Sequence, residues 1–287
     1  MAVAETEWTV RRILEWTTAH LKQHGSESPR LEAEVLLAHA RDCPRIRLYT
    51  DFSVVLTEQV RARMRDLVKR RAAHTPVAYL VGYREFFSLQ FAVTPDVLIP
   101  RPETETLVLT ALDWLKDRPP ARALDIGTGS GCVGVTLAVR NPTVEIVAVD
   151  LSTAALQIAG QNAEKHKVAA RLEFQSADLF PTSGRFDLIV SNPPYIATKE
   201  VETLAPEVRD HEPRLALDGG DDGLTIIRRL IVTAPQSLNA GGALMLEISP
   251  EQADAVTTLF SADPHWKNIR RIPDMSRQTR VLAAEWD

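Results

Sequence analysis

Apolar residues recur at helical spacing through the first 75 positions. Ile13, Leu14, Thr17 and Leu21 fall on one helical face. Ser28 before Pro29 places an N-cap residue ahead of proline at the first helical position, and Leu31 and Val35 follow at helical spacing. Thr57 is placed to cap a further helix with Val60, Met64, Leu67 and Val68 on its inner face. Nothing here alternates with period two, so residues 1–75 read as a small helical bundle. The period then changes. Phe87, Leu89, Phe91 and Val93 alternate with Ser88, Gln90 and Ala92, the signature of a strand. Val77 to Val81 is the candidate pairing strand, with a turn near Gly82. Residues 76–99 thus read as a β-hairpin linker, and Pro95, Pro100 and Pro102 punctuate its end.

From about residue 103 helix and strand alternate. Leu107, Val108, Ala111, Leu112 and Leu115 make a helix face. Short apolar strands are expected at Ala121–Ile126, Val144–Val149, Arg171–Gln175, Phe186–Val190 and Ala243–Ile248, with a last one at Arg280–Glu285. Such alternation implies right-handed crossovers and a doubly wound, mostly parallel α/β sheet over residues 100–287.

Composition adds bounds. Apolar residues make up 45% and charged residues 25%, enough for a core that needs no disulfides. The two cysteines, Cys43 and Cys132, form no CxxC pair, which fits a reducing, cytoplasmic home. The opening Met1–Trp8 carries Glu5 and Glu7 and lacks the basic start and apolar run of a signal peptide. No apolar run approaches the ~20 residues of a membrane span. A formal net charge of −5 argues against broad nucleic-acid coating, so no stable nucleic-acid binding is expected. The seven histidines show no metal-ligand spacing, and no metal is assigned.

Two segments carry chemistry. The first, Leu124-Asp125-Ile126-Gly127-Thr128-Gly129-Ser130-Gly131, follows an expected strand and opens an expected helix. Its glycines allow a tight turn and close approach of a ligand, and the helix start offers free N–H groups. Asp150 ends the next strand, where a carboxylate can accept the hydroxyl protons of a ribose. The pair points to a nucleoside-containing cofactor. Gly129 to Gly134 also satisfies GxGxxG, so this segment alone leaves a dinucleotide open.

The second segment, Ser191-Asn192-Pro193-Pro194-Tyr195, follows the Phe186–Val190 strand. In a doubly wound sheet this places it across the crevice from the glycine loop. The prolines fix φ and push the residue before each into the extended region, so Asn192 is aimed. A primary amide nitrogen is a poor nucleophile because its lone pair is delocalised. The Asn192 side-chain oxygen and the Pro193 carbonyl can accept its two N–H protons and turn the lone pair towards a methyl sulfonium. Those acceptors also stabilise charge that develops on nitrogen. Tyr195 can pack on the planar face. Neither a metal nor a covalent nucleophile is required.

The segment resembles the amino-methyltransferase signature of class I S-adenosylmethionine enzymes. Further pieces resemble one family, the bacterial release-factor glutamine methyltransferases: Ile99-Pro100-Arg101-Pro102-Glu103-Thr104-Glu105, Glu212-Pro213-Arg214-Leu215-Ala216-Leu217, and Gly219-Gly220-Asp221-Asp222-Gly223-Leu224. With the helical N-terminal domain and hairpin, the resemblance covers nearly the whole chain. It implies a Rossmann-like methyltransferase domain and an N-terminal substrate-binding domain. It also implies N5-methylation of the glutamine in the Gly-Gly-Gln loop of class I peptide chain release factors. S-adenosyl-L-methionine would be the donor and S-adenosyl-L-homocysteine the product. Gly127, Thr128, Gly129, Ser130, Gly131, Asp150 and Asn192 would contact the cofactor, and Asn192, Pro193, Pro194 and Tyr195 would hold the glutamine. The family often has an aromatic after the aspartate that follows the third strand. Here Leu179 follows Asp178, which implies adenine packing without ring stacking.

Other readings stay open at this level: glutamine methylation of a ribosomal protein, adenine N6 methylation of DNA or RNA, a nicotinamide-dependent oxidoreductase, and a binding module without catalysis. The long connection Ile196–Asp222 reads as a lid over the substrate. Arg101, Glu103 and Glu105 either shape the cofactor entrance or form an acidic helix start. Arg61 to Arg71, with six basic residues and Asp66, reads as a solvated helix face, with partner docking as the alternative. Glu247 is either a site carboxylate or an exposed strand end.

Overall fold

The computed structural model describes residues 7–116, 118–119 and 121–287; Met1–Thr6, the start of the segment weighed as a leader, lies outside them. The chain forms two compact units. One holds the N-terminal residues through Gly82 together with Pro206–His211, and the other holds Tyr83–Ala205 and Glu212–Asp287.

The first unit is helical: α1 (Val10–Gln23), α2 (Pro29–Ala40), α3 (Ile46–Thr50), α4 (Glu58–Ala72) and α5 (Val77–Val81). Val10, Ile13, Leu14, Thr17 and Leu21 bury one face of α1, and the Thr9 hydroxyl accepts from the Arg12 amide to cap it. In α4, Met64, Leu67 and Val68 are buried, and Thr57 caps the start by accepting from Val60 N. Three expectations are corrected. The inner face of α2 runs through Ala33, Leu36, Leu37 and Ala40, while Leu31 is 46% exposed and Ser28 makes no side-chain cap. Val77–Val81 is a helix turn ended by left-handed Gly82, so it is not a strand. Arg71 is buried rather than solvated; it pairs with Glu32 at 2.8 Å and Glu207 at 2.7 Å. A buried guanidinium needs such carboxylates, since stripping its hydration without them would be prohibitive.

The second unit opens with a hairpin, β1 (Tyr83–Phe86) and β2 (Leu89–Ala92), paired antiparallel. Its turn is at Phe87–Ser88, both at positive φ, rather than near Gly82. Then come α6 (Glu105–Leu115), β3 (Arg122–Ile126), α7 (Cys132–Arg140), β4 (Glu145–Asp150), α8 (Thr153–Lys165), β5 (Leu172–Ser176) and β6 (Phe186–Ser191). The short α9 (Thr198–Val201) follows; α10 (Pro206–Arg209) falls in the first unit. The chain ends with α11 (Thr225–Thr233), β7 (Leu238–Glu247), α12 (Ala253–Ser261), β8 (Trp266–Pro273) and β9 (Thr279–Trp286).

The seven-stranded sheet has the order β5-β4-β3-β6-β7-β9-β8. The first five are parallel, and β9 and β8 are antiparallel. The mostly parallel, doubly wound architecture is therefore as expected, with β8 as an additional edge strand. Strand alternation feeds two apolar layers: Leu188 and Val190 pack with α6 residues Leu107 and Val108, while Ile189 packs with α11 residues Ile227 and Leu230. Because β4 lies on one side of β3 and β6 on the other, the strand order reverses there, and a crevice opens at the strands' carboxyl ends.

Candidate active site

The carboxyl ends of β3, β4 and β6 surround a cavity of about 320 Å³. It fits a nucleoside-sized ligand. Gly127, Thr128, Gly129, Ser130, Asp150, Leu179, Asn192 and Pro194 all line it. These are residues the sequence singled out. Gly131, Pro193 and Tyr195 stand beside it rather than in its wall.

The glycine loop is held from within. Gly127 N and Thr128 N donate to Val149 O across the strands, and Gly131 N donates to Thr128 O. Gly131 has φ +78, and a Cβ there would meet the Ala159 Cβ at 3.0 Å, so both backbone and packing demand glycine. Gly127 and Gly129 leave bare backbone towards the cavity; no protein atom lies within 4 Å of a Cβ placed at Gly127. Beneath the loop, Asp125 accepts from the Thr128 hydroxyl at 2.6 Å and from Gly134 N at 3.0 Å. Its burial lifts its pKa to about 6, against the pull of those two bonds.

Asp150 accepts from Gly129 N and Ser152 N, each at 2.9 Å, one on each oxygen. Each oxygen keeps a further lone pair, which suits the two hydroxyls of a ribose. Asn162, wholly buried, joins the hairpin to the loop: it exchanges bonds with Ala92 N and O and donates to Ser130 O at 2.8 Å. Leu179 holds φ +72, rare for a branched aliphatic residue. Such strain persists only where surroundings enforce it, commonly at a ligand site. Leu151, Ala177 and Ile226 add apolar wall near it.

Across the crevice, the Ser191 hydroxyl donates to Ile126 O at 2.8 Å and locks β6 to β3. Asn192 Nδ2 donates to the Thr104 hydroxyl at 3.1 Å, which turns the amide oxygen away from Thr104. Behind the prolines, Gln252 Nε2 donates to Tyr195 O at 2.9 Å and to Gly223 O at 3.2 Å. Burial pushes the Tyr195 hydroxyl up to about 12, so it stays protonated.

The Arg101–Glu105 stretch and Glu247 each take a defined place. Arg101 lines the cavity and pairs with buried Glu212, which also accepts from Ile99 N at 3.1 Å; Glu105 accepts from Phe87 N. Glu103 sits in a 3-10 turn, Pro102–Thr104, ahead of α6. Glu247 is not an exposed strand end. It is 1% exposed, and neither carboxylate oxygen completes a hydrogen bond. Leaving such a group unpaired costs about 1–3 kcal/mol or more. Burial raises its pKa to about 7, while the Thr104 and Tyr195 hydroxyls and Arg280 pull the other way.

The Ile196–Asp222 connection is tied at its base. Ile196 N and O pair with Leu217 O and Gly219 N, and the Thr198 hydroxyl donates to Asp218 at 2.7 Å. Its residues Pro213, Leu215 and Ala216 line the cavity. Reasoning from sequence missed Thr104, Asn162 and Gln252. Thr104 was visible as part of the Ile99–Glu105 motif; the other two had no local signal.

The profile of the PrmC N-terminal domain matches residues 12–82, and that of the methyltransferase small domain matches residues 105–209. A release factor glutamine methyltransferase of Rhodopirellula baltica is 48% identical over 288 residues, spanning 98% of this chain and 97% of that protein. One of Geobacter sulfurreducens is 48% identical over 257 residues, spanning 88% and 89%. Among solved structures, the hMettl16 catalytic domain in complex with MAT2A 3'UTR hairpin 6 aligns with TM-score 0.55 at 19% identity, covering 77% of this chain and 82% of that one. A methyltransferase from Pyrococcus furiosus aligns with TM-score 0.51 at 17% identity, covering 78% and 98%. At such identities the structural likeness carries the fold alone.

Proposed function

This chain belongs to the release factor glutamine methyltransferase family, and we propose that it moves a methyl group from S-adenosyl-L-methionine to N5 of the glutamine in the Gly-Gly-Gln loop of class I release factors. The observation that carries this reading is the aimed amide of Asn192. Its nitrogen is occupied by Thr104, and its residue lines the cavity shared with the glycine loop.

The cavity fits the cofactor on its own chemistry. Bare backbone at Gly127 and Gly129 admits close approach, Asp150 offers two lone pairs to a ribose diol, and Leu179 with its neighbours offers an apolar seat for adenine. Thr128, Ser130 and Gly131 complete the loop. When bound, S-adenosylmethionine supplies an electrophilic methyl group on a cationic sulfur.

The chain's own residues do the rest. Asn192 Oδ1 and the Pro193 carbonyl accept the two N–H bonds of the target amide. Pro193 and Pro194 keep both acceptors rigid, and Tyr195 packs against the planar group. As the nitrogen gains its bond to carbon it becomes positive, and these acceptors stabilise it before it loses a proton to water. Fixing the nitrogen in line contributes on the order of 7–11 kcal/mol. The N-terminal helices serve as the substrate-recognition domain and the Ile196–Asp222 connection covers the bound loop. The work lies in the cytoplasm, where termination occurs; among the described residues no helix is long and apolar enough to cross a membrane.

The test is methylation with radiolabelled S-adenosylmethionine. Acceptors are a class I release factor, its Gly-Gly-Gln→Gly-Gly-Ala variant, a ribosomal-protein fraction, and adenine-containing DNA and RNA. Label on the unmodified release factor alone is expected. Label on nucleic acid or on a ribosomal protein instead overturns the substrate.

A further inference from the structure

Glu247 is buried at the carboxyl end of β7, and the reaction above gives it no task. Ser191 pairs with Leu246 in the sheet register, so the next residues, Asn192 just past β6 and Glu247 at the end of β7, fall side by side. Both Glu247 oxygens lack a completed hydrogen bond. The Thr104 hydroxyl faces them. That same hydroxyl meets the Asn192 amide at 3.1 Å.

A hydroxyl has one proton to give. Once Thr104 donates it to a carboxylate, its oxygen can only accept from Asn192. Asn192 must then turn its NH2 inward and its oxygen outward. The target amide presents N–H groups, so an outward oxygen is productive and an outward NH2 sets donor against donor. We propose that Glu247, acting through the Thr104 hydroxyl, fixes which end of the Asn192 amide meets the substrate, and is thus a positioning residue for the transfer. The proposal rests on the glutamine-methylation reading.

Ionised Glu247 enforces this order, because a carboxylate can only accept. Protonated Glu247 can itself donate to Thr104, and the hydroxyl is then released to donate to a flipped Asn192. The charged and titratable groups facing Glu247 come from several elements. Glu103 disfavours its charge from the turn before α6; Arg280 on β9 and the Tyr195 hydroxyl favour it. Cys132, at the start of α7, is held as the neutral thiol with its pKa pushed up to about 12, mainly by burial. Burial outweighs the rest at Glu247, whose carboxyl titrates at about 7. Turnover accordingly rises as the pH passes through that value.

The experiment measures kcat, KM and pH dependence of release-factor methylation for wild type, Thr104→Val, Thr104→Ser and Glu247→Gln. Titration with S-adenosylhomocysteine serves as the folding control. Thr104→Val is expected to lower kcat by about tenfold to a hundredfold, as misplaced reacting groups do. S-adenosylhomocysteine affinity should stay within about twofold, and Thr104→Ser should restore most of the rate. Glu247→Gln should lower kcat and abolish its rise around neutral pH. In an Asn192→Ala background, Thr104→Val and Glu247→Gln should each cost less than about twofold, because they act through Asn192. Full-sized losses in that background, or a normal rate for Thr104→Val, overturn the inference while leaving the methylation reading intact. A wild-type protein that labels no release factor overturns both.

Discussion

The side-chain amide of Gln252 donates to the backbone carbonyl of Tyr195 at 2.9 Å, and Gly223 sits against that same carbonyl. Gly223 has φ +72, and a Cβ there would collide with Tyr195 O and lie 2.8 Å from Gln252 Nε2. The last residue of the segment proposed to hold the substrate is therefore fixed by a distant glycine and glutamine. Gly223→Ala is expected to cost about 1–3 kcal/mol of stability, from left-handed strain and displaced backbone. It should also lower kcat by more than about tenfold, since the clash pushes the segment forward. Urea unfolding and methylation assays on the same preparation check both.

Asn192→Ala should cut kcat by about 10²–10³, the usual loss when a charge-stabilising hydrogen-bonding group is removed. S-adenosylhomocysteine affinity should change far less. Single-turnover assays with saturating cofactor measure it; a near-normal rate would remove Asn192 from its assigned role.

Asp150→Ala should act chiefly on cofactor affinity, because it removes the ribose acceptors and the anchor for Gly129 N and Ser152 N. Asp150→Asn retains one acceptor oxygen and should bind with intermediate affinity. Calorimetric titration with S-adenosylhomocysteine ranks the three proteins. Unchanged affinity in Asp150→Ala would falsify the assignment.

The carboxyl of Glu247 titrates at about 7 in the folded chain, raised by burial above its ordinary 4.5. Between those values the folded state holds the proton and the unfolded state has released it. The protonated group therefore contributes stability that is fully present below about pH 4.5 and is lost as pH rises through about 7. Glu247→Gln should lose less stability than wild type over that span. Asp125, raised to about 6, titrates in both proteins and cancels in the comparison. Thermal unfolding at about pH 5 and about pH 8 reads the difference; parallel curves would show that Glu247 does not carry the slope.

The strands of the sheet were legible wherever burial on both faces wrote an apolar run, as at Ile146–Val149 and Leu188–Val190. The edge strand β8 was not. Its Lys267, Asn268, Arg270 and Arg271 are exposed, so no alternation marks it. Val77–Val81 misled because valine and tyrosine suit strands, while Pro76 and Gly82 bracket a single helical turn. The cavity wall was readable because glycines, prolines and Asp150 sit at strand ends, where topology alone places them. The support behind it was not. Asn192 and Thr104 meet across 88 positions of chain, and Glu247 joins them only through strand register.

Pro206–His211 completes the helical unit from a point late in the chain. Its Glu207 supplies the second carboxylate for buried Arg71. During synthesis, the N-terminal helices therefore emerge first and can close Arg71 onto Glu32, but the pair with Glu207 waits until β3 to β6 have been made. A ribosome halted before Pro206 would display a helical unit with Arg71 held by Glu32 alone. The first helices out of the tunnel are thus completed only after four strands of the sheet have followed them.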